Sequence, residues 1–180
     1  TKYGLSYFSK SSWDNTELEN LQSESNYLIQ LNIAEPTTDS YNSIAKIAKI
    51  VADYFAAWQV VSRARNCSSV NSIAEIKADA NGYNIDPLTN NSSLESALQS
   101  VEDEAKRSVV SYIAEKCNFV ISSKYDYNNY ITFYRAYENA CNRISEYTDT
   151  YGKNNVLNDA KDRLDKAETE ASAYYLNLKK

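Results

Sequence analysis

The residues best suited to acid–base work are bunched in "SVEDEAKR", where Glu102, Asp103 and Glu104 stand side by side. General acid–base catalysis needs carboxylates converging on one substrate atom with separated pKa values. Adjacent residues on a helix point in different directions, so this trio reads as a solvated face, with Glu102 and Lys106 at the (i, i+4) spacing of a surface ion pair. No Glu-x-x-His occurs, which excludes a di-iron carboxylate bundle. With His 0 the chain also lacks the commonest general base and metal ligand. Its Ser and Cys side chains have no imidazole to activate them, and no spacing recommends a Ser–Lys pair. Cys67, Cys117 and Cys141 show no C-x-x-C spacing, which excludes a zinc ribbon. Two readings of these thiols stay open. They are small buried apolar groups, or Cys117 and Cys141, on neighbouring predicted helices, are bonded if the chain is secreted. The expectation is a protein that is not an enzyme and uses no metal or cofactor.

The cations are better placed for chemistry than the anions. Arg63 and Arg65 close a predicted helix in "VVSRARN", Lys106 and Arg107 fall in the middle of the next long one, and Arg135 and Arg143 lie on the one after it. Taken singly, the first two suit a helix C-terminus and the rest a solvated face. Taken together, Arg63, Arg65, Lys106, Arg107 and Arg135 are the candidate contacts to phosphates. The net charge of −5 and sequence pI near 4.9 argue against a free-standing basic nucleic-acid binder. An assembly in which a few local cations meet phosphate while the outer surface stays acidic is compatible with them.

The elements that must hold these residues are helices. Gly 3 and Pro 2 in 180 residues leave too few breaks for a sandwich or an α/β fold. The expectation is therefore an all-α chain forming a single helical domain over residues 1–180, with residues 1–13 as an N-terminal arm. Asp14 and Glu17 have capping-box spacing and open a helix that Pro36 ends. A second helix follows Asp39 or Ser40, with Ile44, Ala48, Val51, Phe55 and Trp58 as its apolar stripe, and runs to about Arg65. Residues 66–92 read as an irregular connection, with a short helix over "VNSIAEIKADA" stopped at Gly82. A third long helix is capped by Ser92 or Ser93 and buries Leu94, Leu98, Val101, Ala105, Val109, Tyr112 and Val120. A fourth carries Tyr127, Tyr130, Tyr134, Tyr137, Cys141, Ile144 and Thr148. A fifth carries Leu157, Ala160, Leu164, Ala167, Ala171, Tyr174 and Leu178. The bulky seam of the fourth and the Ala-rich seam of the fifth suit an antiparallel hairpin. The most apolar stretch, "IAKIAKIVADYFAAWQVV", includes Lys46, Lys49 and Asp53, which excludes a transmembrane helix. Tyr 16 is the compositional oddity: Tyr packs its ring and keeps its hydroxyl at a wet edge, which suits subunit interfaces, or it simply replaces Leu and Phe in the core.

Five stretches, taken in order, resemble the coat proteins of tobamovirus-type, rod-shaped helical viruses. "SYFSKSSWDNTELENL" supplies Phe8, Ser9, Trp13, Asp14, Glu17, Leu18, Asn20 and Leu21, similar to that family's Ser-rich entry to its first bundle helix. "VADYFAAWQ" has Phe55 and Trp58 at a spacing one residue shorter than the family's. "GYNIDPL" offers Tyr83, Asn84, Asp86, Pro87 and Leu88; "SVEDEAKRSVVSYI" aligns Val101, Glu102 and Asp103; "YRAYENA" aligns Arg135 and Glu138, with Tyr137 where the family has Phe. The family has a further helix before the acidic pair where this chain has loop, and the final helix here has no family counterpart. The resemblance implies an antiparallel four-helix bundle with an extra N- or C-terminal helix, stacked into a tube that grips nucleic acid between its turns. It implies copies of the chain itself and a nucleic-acid backbone, RNA, as partners, no membrane, and a virion assembled in the host cytoplasm. The same composition also fits a non-viral structural or interaction bundle of a secreted, surface or granule kind. A lipid or small-ligand carrier is a third reading.

Overall fold

The computed structural model describes residues 23, 38–83 and 92–179. Every regular element among the described residues is a helix: α1 (Thr38–Arg65), α2 (Val70–Asn81), α3 (Ser92–Gln99), α4 (Val101–Ser122), α5 (Tyr130–Tyr151) and α6 (Asn155–Asn177). The all-α expectation holds. The arm over 1–13, nearly all of the helix expected between Asp14 and Pro36, and Asn84 to Leu88 of "GYNIDPL" lie outside the described residues. None of the described helices is long and apolar enough to cross a membrane.

The described residues group into two compact units. One holds those up to Asn66 and from Ile73 to Glu104; the other holds Cys67–Ser72 and the chain from Ala105 onward. In the first, α1 packs against α3. The buried stripe of α1 is Tyr54, Ala57, Val61 and Ala64, while Phe55 and Trp58 are half-buried. The expected stripe through Phe55 and Trp58 is thus turned by one position. "VADYFAAWQVV" carries two overlapping apolar stripes, and the one with Ala57 and Ala64 has the small side chains that admit a partner closely. Bulkier Phe55 and Trp58 cover its edge. In α2, Ile73, Ile76 and Ala80 face inward, and Gly82 closes the helix by donating its N–H to the Asp79 carbonyl at 3.1 Å. The span 66–92 is therefore helical over its first half, where the short helix was expected.

The single third helix of the sequence reading is two, α3 and α4, with a turn at Ser100. The Ser100 N–H still reaches the carbonyls of Ser96 and Ala97 at 3.2 Å, and its own carbonyl accepts from Glu104 at 3.0 Å. Glu102, Asp103 and Glu104 consequently form the first turn of α4. Carboxylates are favoured there because unpaired N–H groups make a helix N-terminus electropositive. The acidic trio marks a helix start, not a mid-helix face, and Lys106 and Arg107 sit in the second turn, not at mid-helix.

In the second unit α5 and α6 form the expected hairpin. Asn129 caps α5, its Oδ1 accepting from the Thr132 N–H at 2.9 Å; Asn154 caps α6, accepting from Val156 and Leu157 at 3.0 and 3.2 Å. Gly152 ends α5 at φ +87° and donates to the Thr148 carbonyl at 2.8 Å. That dihedral lies where a Cβ is strained, so glycine fits the turn. Pairings of Tyr130 with Glu168 and Tyr137 with Asp165 run in opposite directions along the two helices, so the hairpin is antiparallel.

The buried stripes of both helices differ from expectation at identifiable points. On α5, Phe133, Ala140, Ile144 and Tyr147 are buried, and Tyr130, Tyr134 and Cys141 flank them. Phe has no hydroxyl to keep wet, so it takes the centre and tyrosines take the margins. On α6 the expected series holds from Leu157 to Ala171 and then moves from Tyr174 to Tyr175. Leu157 and Tyr175 are eighteen residues apart, about five turns at 3.6 residues each, so a straight helix returns them to one face. A heptad beat drifts about 20° per repeat and leaves Tyr174 and Leu178 outside.

Candidate nucleic-acid interface

Arg63 and Arg65 end α1 in the first unit, both exposed, where cations complement the last carbonyls of a helix. Arg63 is already engaged. Its guanidinium donates to Asp79 of α2, and that bond holds its pKa above the ordinary value. A phosphate at Arg63 must therefore displace a carboxylate. In the same unit Lys77 pairs with Glu102.

The second unit holds the other three candidates. Lys106 is half-buried, its ammonium 4.7 Å above the Tyr151 ring, an arrangement that attracts a cation to the ring's electron-rich face. Arg107 follows it, exposed. Arg135, on the second turn of α5, is exposed and has no ion-pair partner among the described residues. Because Lys106 sits at the level of Tyr151, sixteen residues beyond Arg135 on the same helix, the two cations are separated by roughly 24 Å along the α5 axis. The fold does not gather Lys106, Arg107 and Arg135 around one phosphate. Lys106 and Arg107 lie at one level of the helix pair and Arg135 at another.

Other polar groups of this unit are engaged with one another. The Arg143 guanidinium lies 5.7 Å from the Tyr112 ring centre, and Arg163 donates to the Asn118 amide oxygen at 2.9 Å. Tyr137 donates to Asp165 Oδ1 at 2.7 Å, and Lys161 holds both carboxylate oxygens at 2.6 and 2.8 Å. Burial pushes the Asp165 carboxyl up, but these bonds outweigh it and bring its pKa below the ordinary value. Burial, with the bond to Asp165, pushes the Tyr137 hydroxyl strongly up. The bond to Glu168, with burial, raises Tyr130 to about 12. The Tyr175 hydroxyl accepts the Tyr127 N–H at 3.0 Å and faces the carbonyls of Lys124 and Tyr127, pinning the α4–α5 loop to the end of α6. These phenols are structural fasteners, held neutral by their surroundings.

Sequence reasoning missed that several large apolar side chains at that end of the unit are exposed. Phe119, Tyr125, Ile131, Tyr134, Tyr174 and Leu178 are all exposed, Phe119 and Leu178 at 66% and Ile131 at 64%. The Tyr125 and Tyr174 rings touch, their centres 4.6 Å apart. The available signal was the misfit of Phe119 and Ile131 with the buried stripes of their own helices. Among the described residues no group of three or more His, Cys, Asp or Glu is placed to hold a metal ion.

No protein-family model, no curated protein and no solved structure matches this chain.

Proposed function

We propose that this chain is the structural subunit of a helical, rod-shaped or filamentous viral nucleocapsid, an antiparallel helical bundle that assembles with copies of itself on a nucleic-acid backbone, RNA. Support comes above all from the apolar end of the second unit. Exposed Phe119, Ile131 and Leu178, together with the touching Tyr125–Tyr174 pair, are aromatic and aliphatic groups of the kind that subunit contacts favour. The Arg107 and Arg135 guanidiniums supply backbone contacts along the same unit, and the five-stretch resemblance to rod-shaped virus coat proteins points the same way. Acidic subunits repel one another; apolar contacts and captured polyanion offset that repulsion. Assembly is in the virion, formed in the host cytoplasm.

The test is electron microscopy of the expressed protein with and without RNA, alongside binding at rising salt. The expected result is rods or filaments, with affinity falling steeply as salt increases because phosphate contacts release counterions. Preference among base sequences should be weak, since backbone contacts position without specifying. Ile131→Glu should block filaments while leaving the helical signal intact, and Arg107→Gln with Arg135→Gln should abolish packaging alone. A second reading, a non-viral structural bundle that binds no nucleic acid, is favoured by the Arg63–Asp79 pair, which already neutralises one of the five cations. Filaments that form without nucleic acid and ignore it would establish that reading.

A further inference from the structure

We propose that Asn81 is a deamidation site, converted through a succinimide that it forms with the Gly82 nitrogen. The proposal stands on the end of α2, independently of self-assembly and nucleic-acid binding. Asn81–Gly82 is the only Asn-Gly pair in the chain. Ring closure needs the next residue's nitrogen to reach the side-chain amide carbon, and glycine alone puts no side chain in the way. Asn81 is the last residue of α2, and both it and Gly82 are exposed. Beyond the helical ladder, the Gly82 N–H reaches the Asp79 carbonyl at 3.1 Å and the Tyr83 N–H reaches that of Ala80 at 3.3 Å. Bonds to the third residue back have poorer geometry than helical ones, and helix ends are the first parts to open. A Cβ at position 82 would meet the Asp79 carbonyl oxygen at 3.3 Å, so the tight stop that favours glycine also creates the reactive pair. Elsewhere the local structure protects. Asn66 donates its side-chain amide to the Ser62 carbonyl at 2.9 Å and precedes buried Cys67. Asn118 is held by Arg163, Asn129 and Asn154 by the N–H groups they cap, and each precedes a residue with a side chain.

The steps need only water, with no oxidant or reductant. Hydroxide takes the proton from the Gly82 nitrogen, which attacks Cγ of Asn81. The new N–Cγ bond closes the succinimide ring, the Cγ–Nδ2 bond breaks, and the nitrogen leaves as ammonia after taking a proton from water. A water molecule then opens the ring. Addition at Cγ restores the ordinary peptide and leaves an aspartyl side chain. Addition at the backbone carbonyl of Asn81 routes the chain through Cγ, giving an isoaspartyl linkage one methylene longer. Closure requires ψ of Asn81 to leave its helical value, so the Gly82 bond to Asp79 must open first. The last turn of α2 thus sets the rate. Either product puts a carboxylate beside the last carbonyls of α2, where negative charge is disfavoured, so conversion weakens the helix end.

The experiment is incubation of the folded chain in buffers of rising pH, with samples withdrawn over time for brief, mildly acidic trypsin digestion and fragmentation mass spectrometry. Trypsin cuts after Lys77 and Lys106, and fragmentation of the peptide between them separates Asn81 from Asn84, Asn90 and Asn91. Asn81 should convert ahead of Asn66, Asn118, Asn129 and Asn154, faster as pH rises, with isoaspartyl the larger product. The same chain unfolded in urea should convert Asn81 faster still, because no helix bond then holds Gly82. As product accumulates the thermal midpoint should fall. Gly82→Ala, checked for unchanged circular dichroism, should slow conversion severalfold. Asn81 left intact in the folded chain while the unfolded chain converts fully, an equal rate in Gly82→Ala, or aspartyl product with no isoaspartyl would each overturn the proposal.

Discussion

Replacing Tyr137 with Phe tests a bond between α5 and α6. The substitution keeps the ring and its packing and deletes only the hydroxyl that donates to Asp165 at 2.7 Å. Hydrogen bonds to charged groups contribute about 1.5–3 kcal/mol. Here the value falls below that range, because the Asp165 side chain is 47% exposed and still held by Lys161. A loss of about 1 kcal/mol is expected at neutral pH, read as a lower urea midpoint of the helical circular dichroism with an unchanged slope. The pH dependence identifies the bond. The folded pKa of Asp165 lies below its ordinary 3.8, so its stabilisation is fully present above 3.8 and disappears as pH falls through the folded value. Without the Tyr137 bond the folded pKa moves back up, so the gap between wild type and variant should narrow below pH ~4. In a double-mutant cycle with Asp165→Asn the two losses should be markedly non-additive. An unchanged urea midpoint at neutral pH, or a gap that widens in acid, would refute the reasoning.

Phe133→Ala should cost about 3–5 kcal/mol, because Phe133 is fully buried with the Tyr127, Tyr137 and Tyr175 rings around it; denaturant unfolding measures the loss. Asn154→Ala leaves the Val156 and Leu157 amides without their acceptor and should lower stability by about 1 kcal/mol, seen as fraying of α6 in amide exchange. In alkali, Tyr130 ionises in the unfolded chain near its ordinary 10.0 but in the folded one only at about 12. Its contribution is therefore complete below pH 10 and lost as pH climbs through 12, so tyrosinate absorbance should show a late group of phenols ionising together with helix loss. Ionisation of every tyrosine near pH 10 with the helical signal intact would contradict this.

Much of the local structure is written in the sequence, because its causes act over a few residues. Scarce Gly and Pro demand helices, Gly82 and Gly152 stop them, and Asn129 and Asn154 start them by accepting N–H groups that have no partner within the helix. The α5–α6 hairpin was legible from a bulky seam beside an Ala-rich one. The five candidate cations were legible as residue types only. Whether Arg63 is occupied by Asp79, and how far Lys106 stands from Arg135, depends on which helices meet.

Tertiary packing alone decided which of two overlapping stripes each helix buries. "VADYFAAWQVV" and the Tyr-rich run of α5 satisfy helical spacing in adjacent registers, so periodicity cannot choose between them. The choice fell to the neighbours: close approach favoured Ala57 and Ala64 over Phe55 and Trp58, and dry burial favoured Phe133 over Tyr134. At Trp58 the indole nitrogen is buried and has no hydrogen-bond partner among the described residues, a cost that spacing along one helix could not reveal. The turn at Ser100 hid for a related reason. The apolar positions run on through it, and only the acidic trio behind it, favoured at a helix start, records where α4 begins.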